Sequence, residues 1–182
     1  MVEPLEIVVD GTDGAGKTPC VAHLCERFRR RGARVATYAP YRVEEVYPLW
    51  GSDPELAART IVTIMAGQRA RAEADVIVWD RGWPTAFVST ESPEALALFR
   101  PLPPLTLLLL STMERTRRQA RKHPHAGIWA TEEEHVRRYN ARYHALDATN
   151  AGVVLRFLPD ADEHFDLAAI GDAVERTLDL AT

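Results

Sequence analysis

The segment Gly11 to Thr18, GTDGAGKT, sets three glycines, a lysine and a threonine in the spacing Gly-x-x-x-x-Gly-Lys-Thr, directly after the apolar run Leu5-Glu6-Ile7-Val8-Val9. Chemically this is a cradle for a polyphosphate between a buried strand and a helix. Gly11, Gly14 and Gly16 can take positive φ and leave no Cβ between the main chain and phosphate oxygens. The backbone from Asp13 through Ala15 to Thr18 then points its N–H groups inward, Lys17 adds a point charge, and the Thr18 hydroxyl is a candidate Mg²⁺ ligand.

Two further groups carry charge. Asp80 and Arg81 end the run Val76-Ile77-Val78-Trp79, at the edge where ligands bind in parallel sheets. Arg115, Arg117, Arg118, Arg121 and Lys122 form a cationic run; on a helix Arg115, Arg118 and Lys122 share one face, and Arg117 and Arg121 the neighbouring one. Alone, such a run reads as solvated surface. Beside a phosphate loop it reads as charge for phosphoryl transfer, whose loose transition state asks the protein for alignment and neutralisation. Asp10 and Asp13 flank Gly11, and either can orient an acceptor hydroxyl, act as a base or simply accept backbone N–H groups in a turn. Tyr38, Tyr41, Tyr47, Trp50 and Trp83 are candidates to stack on a flat acceptor, although most aromatic residues are core. His123 and His125 flank Pro124 with no acid or cysteine pattern to suggest zinc.

The elements that must position these groups alternate regularly. Strands are expected at Leu5 to Val9, Ala33 to Ala39, Val76 to Arg81, Leu105 to Leu110 and Val153 to Leu158. Helices are expected from Lys17 to about Arg31, closed by Gly32, and from Asp53-Pro54 towards Ala74, with Leu56, Ile61, Ile64 and Met65 on one side. Capping boxes at Ser111-Thr-Met-Glu114 and Thr131-Glu-Glu-Glu134 open two more, and Leu167 to Leu180 forms the last. Pro40 to Asp53 reads as an irregular, aromatic connector, and HPHAGIWA as a loop. Five strands alternating with helices predict an α/β fold, a doubly wound five-stranded parallel sheet in a single domain over 1–182.

With 182 residues, 46% of them hydrophobic, the chain is large enough for one continuous core. A formal charge of −4 argues against general affinity for nucleic acid or membrane surfaces, so any basic site must be local. Cys20 and Cys25 match no metal spacing and read as reduced helix residues, and Met-Val-Glu-Pro leads straight into the first strand; the expectation is a cytoplasmic protein.

IVVDGTDGAGKT, the Asp80-Arg81 pair, the basic helix after PLTLLLL and EEEHVRRYNARYHAL occur in the order of the thymidylate kinase family, which the chain resembles over most of its length. The resemblance implies a P-loop NTPase fold with ATP and Mg²⁺ as cofactors. It implies that Gly11, Gly14, Gly16, Lys17 and Thr18 hold ATP phosphates and Mg²⁺, that Asp13 holds the acceptor sugar, and that Asp80 reaches Mg²⁺ through water. It further implies that Arg81 binds the acceptor phosphate, that Arg69 faces the acceptor base, and that residues 115–130, including Arg115, Arg118 and Arg121, form a lid over ATP. A homodimer is compatible with it. The chain departs from the family where an aromatic residue follows Asp-Arg and a Tyr-Gln pair lies further on; here stand Gly82, Ser89 and Thr90. Tyr38 replaces an arginine near the end of strand two, with Arg42 as the stand-in.

The leading expectation is therefore ATP- and Mg²⁺-dependent phosphoryl transfer to a nucleoside monophosphate or related small phosphorylated acceptor. Two alternatives stand beside it: a kinase of an unphosphorylated nucleoside or other alcohol, and a nucleotide-binding regulatory module without turnover.

Overall fold

In a computed structural model the described residues are 3–12, 14–42, 46–90, 94, 97–100, 103–122, 133–146, 153–162 and 164–179. The strands are β1 (Leu5–Gly11), β2 (Val35–Tyr38), β3 (Val76–Asp80), β4 (Leu105–Leu109) and β5 (Val153–Phe157). They form one all-parallel sheet in the order β2-β3-β1-β4-β5. The continuous apolar runs lie innermost, as strands covered on both faces require: every residue of β3 and β4 is buried.

Alternation along the strands splits the core in two. Ile7, Val9, Val78, Leu107 and Leu109 point to one face and meet Cys20, Leu24, Ile170 and Val174 of helices α1 (Lys17–Arg30) and α7 (Leu167–Asp179). Val8, Ile77, Trp79 and Leu108 point to the other, where α3 (Pro54–Arg71), α4 (Trp83–Thr90) and α6 (Glu133–Ala145) pack. The remaining helices are α2 (Tyr47–Ser52) and α5 (Met113–Lys122). Among the described residues no helix is long and apolar enough to cross a membrane.

The Asp53-Pro54 start of α3 forms as the sequence predicts, the Asp53 carboxylate accepting the Leu56 N–H at 3.0 Å. Gly32 closes α1 with φ +85°, its N–H bonded to the Arg29 carbonyl. Four details differ. Leu56 is 45% exposed rather than on the buried side with Ile61 and Met65, because it lies in the first turn, ahead of the stretch that meets the sheet. The aromatic connector holds a 3₁₀ turn, Pro40–Arg42, and the short helix α2. Helix α4 is unforeseen, its cap coming from a residue distant in sequence. Helix α5 begins one residue later than the predicted box: Thr112 Oγ1, not Ser111, accepts a first-turn N–H, that of Arg115 at 3.2 Å. The second box, at Thr131, lies outside the described residues.

Candidate active site

Three connections leave the carboxyl edge of the sheet side by side, after β1, β3 and β4, because β1 pairs with both neighbours in parallel. Gly11 (φ +134°) turns the chain out of β1 so close to β4 that a Cβ there would stand 2.0 Å from the Leu109 carbonyl oxygen. Any side chain is excluded at that approach. The same carbonyl accepts the Thr12 N–H at 3.2 Å, and Thr12 Oγ1 accepts the Ser111 N–H at 2.8 Å, so the loop is stitched to the end of β4. Gly14 and Gly16 also have positive φ, and Gly16 is the residue from which α1 starts. Pro19 sits in the first turn of α1, where its missing N–H costs no helical bond.

Lys17 curls back into the loop. Its side chain is buried, and Nζ donates to the carbonyls of Gly11 at 3.0 Å and Thr12 at 2.8 Å. Arg115 covers the loop from the β4 side, donating from Nε to the Gly14 carbonyl at 3.2 Å and lying over the Phe165 ring, 5.1 Å from its centroid. Burial, then the nearby Arg118 charge, lowers the affinity of Arg115 for its proton. Across α1, the carboxylate of Asp80 at the end of β3 accepts Arg42 Nη2 at 2.7 Å, and the same nitrogen donates to Thr18 Oγ1 at 3.1 Å.

Asp10, one residue before the loop, is wholly buried. Its Oδ1 accepts the Gly11 N–H at 2.7 Å, the Thr85 hydroxyl at 2.7 Å and the Tyr143 hydroxyl at 3.0 Å. Its Oδ2 accepts the N–H groups of Gly82 at 2.9 Å and Thr85 at 3.0 Å, so a β1 carboxylate caps the start of α4. Arg81 Nη1 lies 3.9 Å from Oδ1 and donates to Thr85 Oγ1 at 3.2 Å. Burial, followed by the Asp10 charge, raises the Tyr143 hydroxyl well above its ordinary range, so it stays protonated and donates. Arg81 itself has φ +76°, alone among the described non-glycine residues in being positive, and its N–H is held by the Val9 carbonyl at 2.9 Å. Such a backbone is costly and is a reason to look for function there.

The structure thus gathers Gly14, Ala15, Gly16, Lys17, Thr18, Arg42, Asp80, Arg81 and Arg115 at one sheet edge. Arg118, on α5, is exposed. Asp13, the side chains of Arg117, Arg121 and Lys122, and the loop with His123, His125 and Trp129 lie outside the description. The two other predicted acceptor residues, Arg69 and Trp83, line one small cavity with Met65, Phe99 and Arg100. Arg69 is paired with Glu6, upstream of Asp10 on β1, at 2.5 Å from Nε to Oε1. Trp83 is buried in the core, its Nε1 donating to Thr106 Oγ1 at 3.0 Å, so its ring is committed to packing. A Cβ at Gly82 would stand 3.0 Å from Val8 Cγ1, so any larger residue there requires Val8 to give by a few tenths of an ångström. Tyr38 and Trp79 are in ring contact at 5.3 Å, and Tyr41 stacks on Trp50 at 5.6 Å.

Tyr143 and Thr85 escaped the sequence reading, because a buried hydroxyl on a helix carries no signal until its partner is known. The cysteines behave as expected: Cys20 and Cys25 are free and buried, and burial, followed by the Asp80 charge, pushes the Cys20 thiol up to about 12.

A scan against protein-family models finds no match to this chain, and a search of curated proteins finds no match either.

Proposed function

We propose that this chain is a P-loop phosphotransferase of thymidylate kinase-like type, moving the terminal phosphoryl group of ATP to a nucleoside monophosphate or a similar small phosphorylated acceptor. One observation carries the reading: a buried lysine folded inside a loop with three positive-φ glycines, with Arg115 laid over that loop. Lys17 is stored on loop carbonyls that compete weakly with phosphate oxygens, so exchange for a polyphosphate is favourable. Arg115 faces the site of the transferred group, where a cationic side chain lowers the barrier most.

The oxygen pair of Thr18 and Asp80 fits Mg²⁺ in chemistry. It offers hard oxygen donors, already holds one cationic nitrogen, and Mg²⁺ in such enzymes takes only one or two carboxylates with phosphates and water as its other ligands. Bound there, Mg²⁺ would neutralise charge on the β- and γ-phosphates. Arg81, and Arg42 once it leaves the Thr18–Asp80 pair, supply two cations for an acceptor phosphate, a pairing that a bare alcohol does not use. Asp10 does not serve as a base, since every bond above saturates its oxygens in a site without solvent.

The test is ADP formation by purified protein with ATP, Mg²⁺ and each natural nucleoside and nucleoside monophosphate. Turnover with one or more monophosphates is expected, falling about 10²-fold or more in Lys17→Ala and in Asp80→Ala while the fold persists. Turnover with unphosphorylated nucleosides alone, or normal rates in both variants, would overturn it.

A further inference from the structure

Arg42 is in an unusual place for an acceptor-binding residue: one of its nitrogens bridges the two oxygens of the metal pair, 2.7 Å from Asp80 Oδ2 and 3.1 Å from Thr18 Oγ1. The Asp80 side chain is only 10% exposed, whereas Arg42 is 65% exposed and reaches in from solvent. A shielded carboxylate needs a cation, and an exposed guanidinium can leave at little cost. The backbone beneath it is fixed. Tyr41 donates its hydroxyl to the Gly82 carbonyl at 2.6 Å and stacks on Trp50, so the turn Pro40–Arg42 is rooted beside Arg81 and only the Arg42 side chain is free to swing.

We infer that Arg42 is a built-in occupant of the Thr18–Asp80 cation site, exchanged for the divalent ion that comes with nucleotide and thereby handed to the phosphate of a phosphomonoester acceptor. The inference rests on the kinase reading above and adds coupling to it. A guanidinium and a divalent ion cannot share one carboxylate oxygen at contact distance, since their repulsion there is large in a partly shielded site. Displacement leaves Arg42 hinged next to Arg81, where a dianionic acceptor group takes both. Metal-loaded nucleotide and acceptor then strengthen each other's binding, as linkage requires when one side chain serves either site.

The experiment is titration calorimetry on the full chain, unaltered and as Arg42→Ala, with ADP in Mg²⁺ or in EDTA, followed by thymidine 5′-monophosphate as the phosphomonoester probe. In the unaltered chain the probe is expected to bind about 5-fold or more tighter to the Mg·ADP complex than to the metal-free ADP complex, within the usual range of coupling. In Arg42→Ala the tightening of ADP by Mg²⁺ grows, by about 10-fold for removal of one competing charge at contact. The Mg-dependent gain for the probe disappears. Thermal unfolding of the variant reports that the fold is intact. An unchanged Mg²⁺ effect on ADP, or coupling that survives in Arg42→Ala, overturns the inference while leaving the kinase reading standing. ADP that fails to bind the unaltered chain overturns both.

Discussion

The Asp10 carboxylate and the Gly82 N–H meet at 2.9 Å, joining the last turn-out of β1 to the start of α4 across 72 residues of sequence. Through this bond the glycine loop and the Asp80-Arg81 turn share one root, with Thr85 and Tyr143 bonded to the same carboxylate.

Asp10→Ala strands the N–H groups of Gly82, Thr85 and Gly11 in a dry site and removes a carboxylate 3.9 Å from Arg81 Nη1. Loss of about 3 to 5 kcal/mol is expected, as for breaking a buried charged network. Asp10→Asn keeps one acceptor oxygen and should lose less. Urea unfolding of the two variants checks the order; a midpoint for Asp10→Ala equal to that of the unaltered chain would contradict the assignment.

Arg81 sits in left-handed backbone, which alanine tolerates poorly and glycine freely. Arg81→Gly should therefore be more stable than Arg81→Ala by about 1 kcal/mol. Both should weaken acceptor binding alike. Paired melting curves and acceptor KM values separate the two effects, and identical melting temperatures would mean that the strain is not real.

Removal of Arg115 should lower ADP formation by about 10³-fold with little change in nucleotide affinity, the mark of a contact made in the transition state. Arg118→Ala, one turn further along the same helix and exposed, should cost far less. Steady-state rates together with ADP titrations decide it, and equal losses in both variants would shift the catalytic charge away from the loop.

Alkaline pH should destabilise the fold. Cys20 has its thiol pushed up from 9.0 to about 12 by burial and then by Asp80, Cys25 is raised by burial, and Tyr41 and Tyr143 are raised by burial and then by Asp10. The unfolded chain releases these protons near their ordinary values while the folded chain keeps them, so stability is full below about pH 9 and declines as pH rises from there towards 12. Cys20→Ala should flatten part of that decline. Denaturant midpoints across the range provide the measurement, and a pH-independent midpoint would show that the thiol is not sealed.

Much of the architecture could be read from local pattern. The five strands, the glycine loop and the Asp53 cap each carry their cause within a few residues, and they fall where the sequence puts them to within about three residues. What escaped depends on distant partners. Helix α4 is capped by Asp10 rather than by a neighbour, and Arg69 is claimed by Glu6 from another strand. Trp83 is a stacking candidate by its flat aromatic face alone, and the sequence does not show that its indole turns inward to Thr106. Arg42 stands in the sequence only as a substitute for a missing arginine near the end of strand two, and its hold on Thr18 and Asp80 was not legible there.

The convergence of Lys17, Arg42, Arg81 and Arg115 against Asp10 and Asp80 has an effect beyond the chemistry. The chain as a whole is negative, with a formal charge of −4, while this sheet edge gathers four cations against two carboxylates. An anion several Debye lengths away meets a protein that repels it weakly; within about 8 to 10 Å of these four cations it meets an attractive field. Added salt thus acts in opposite senses on approach and on capture. Under the proposed function, selectivity would lie in the fit at this sheet edge and not in attraction from afar.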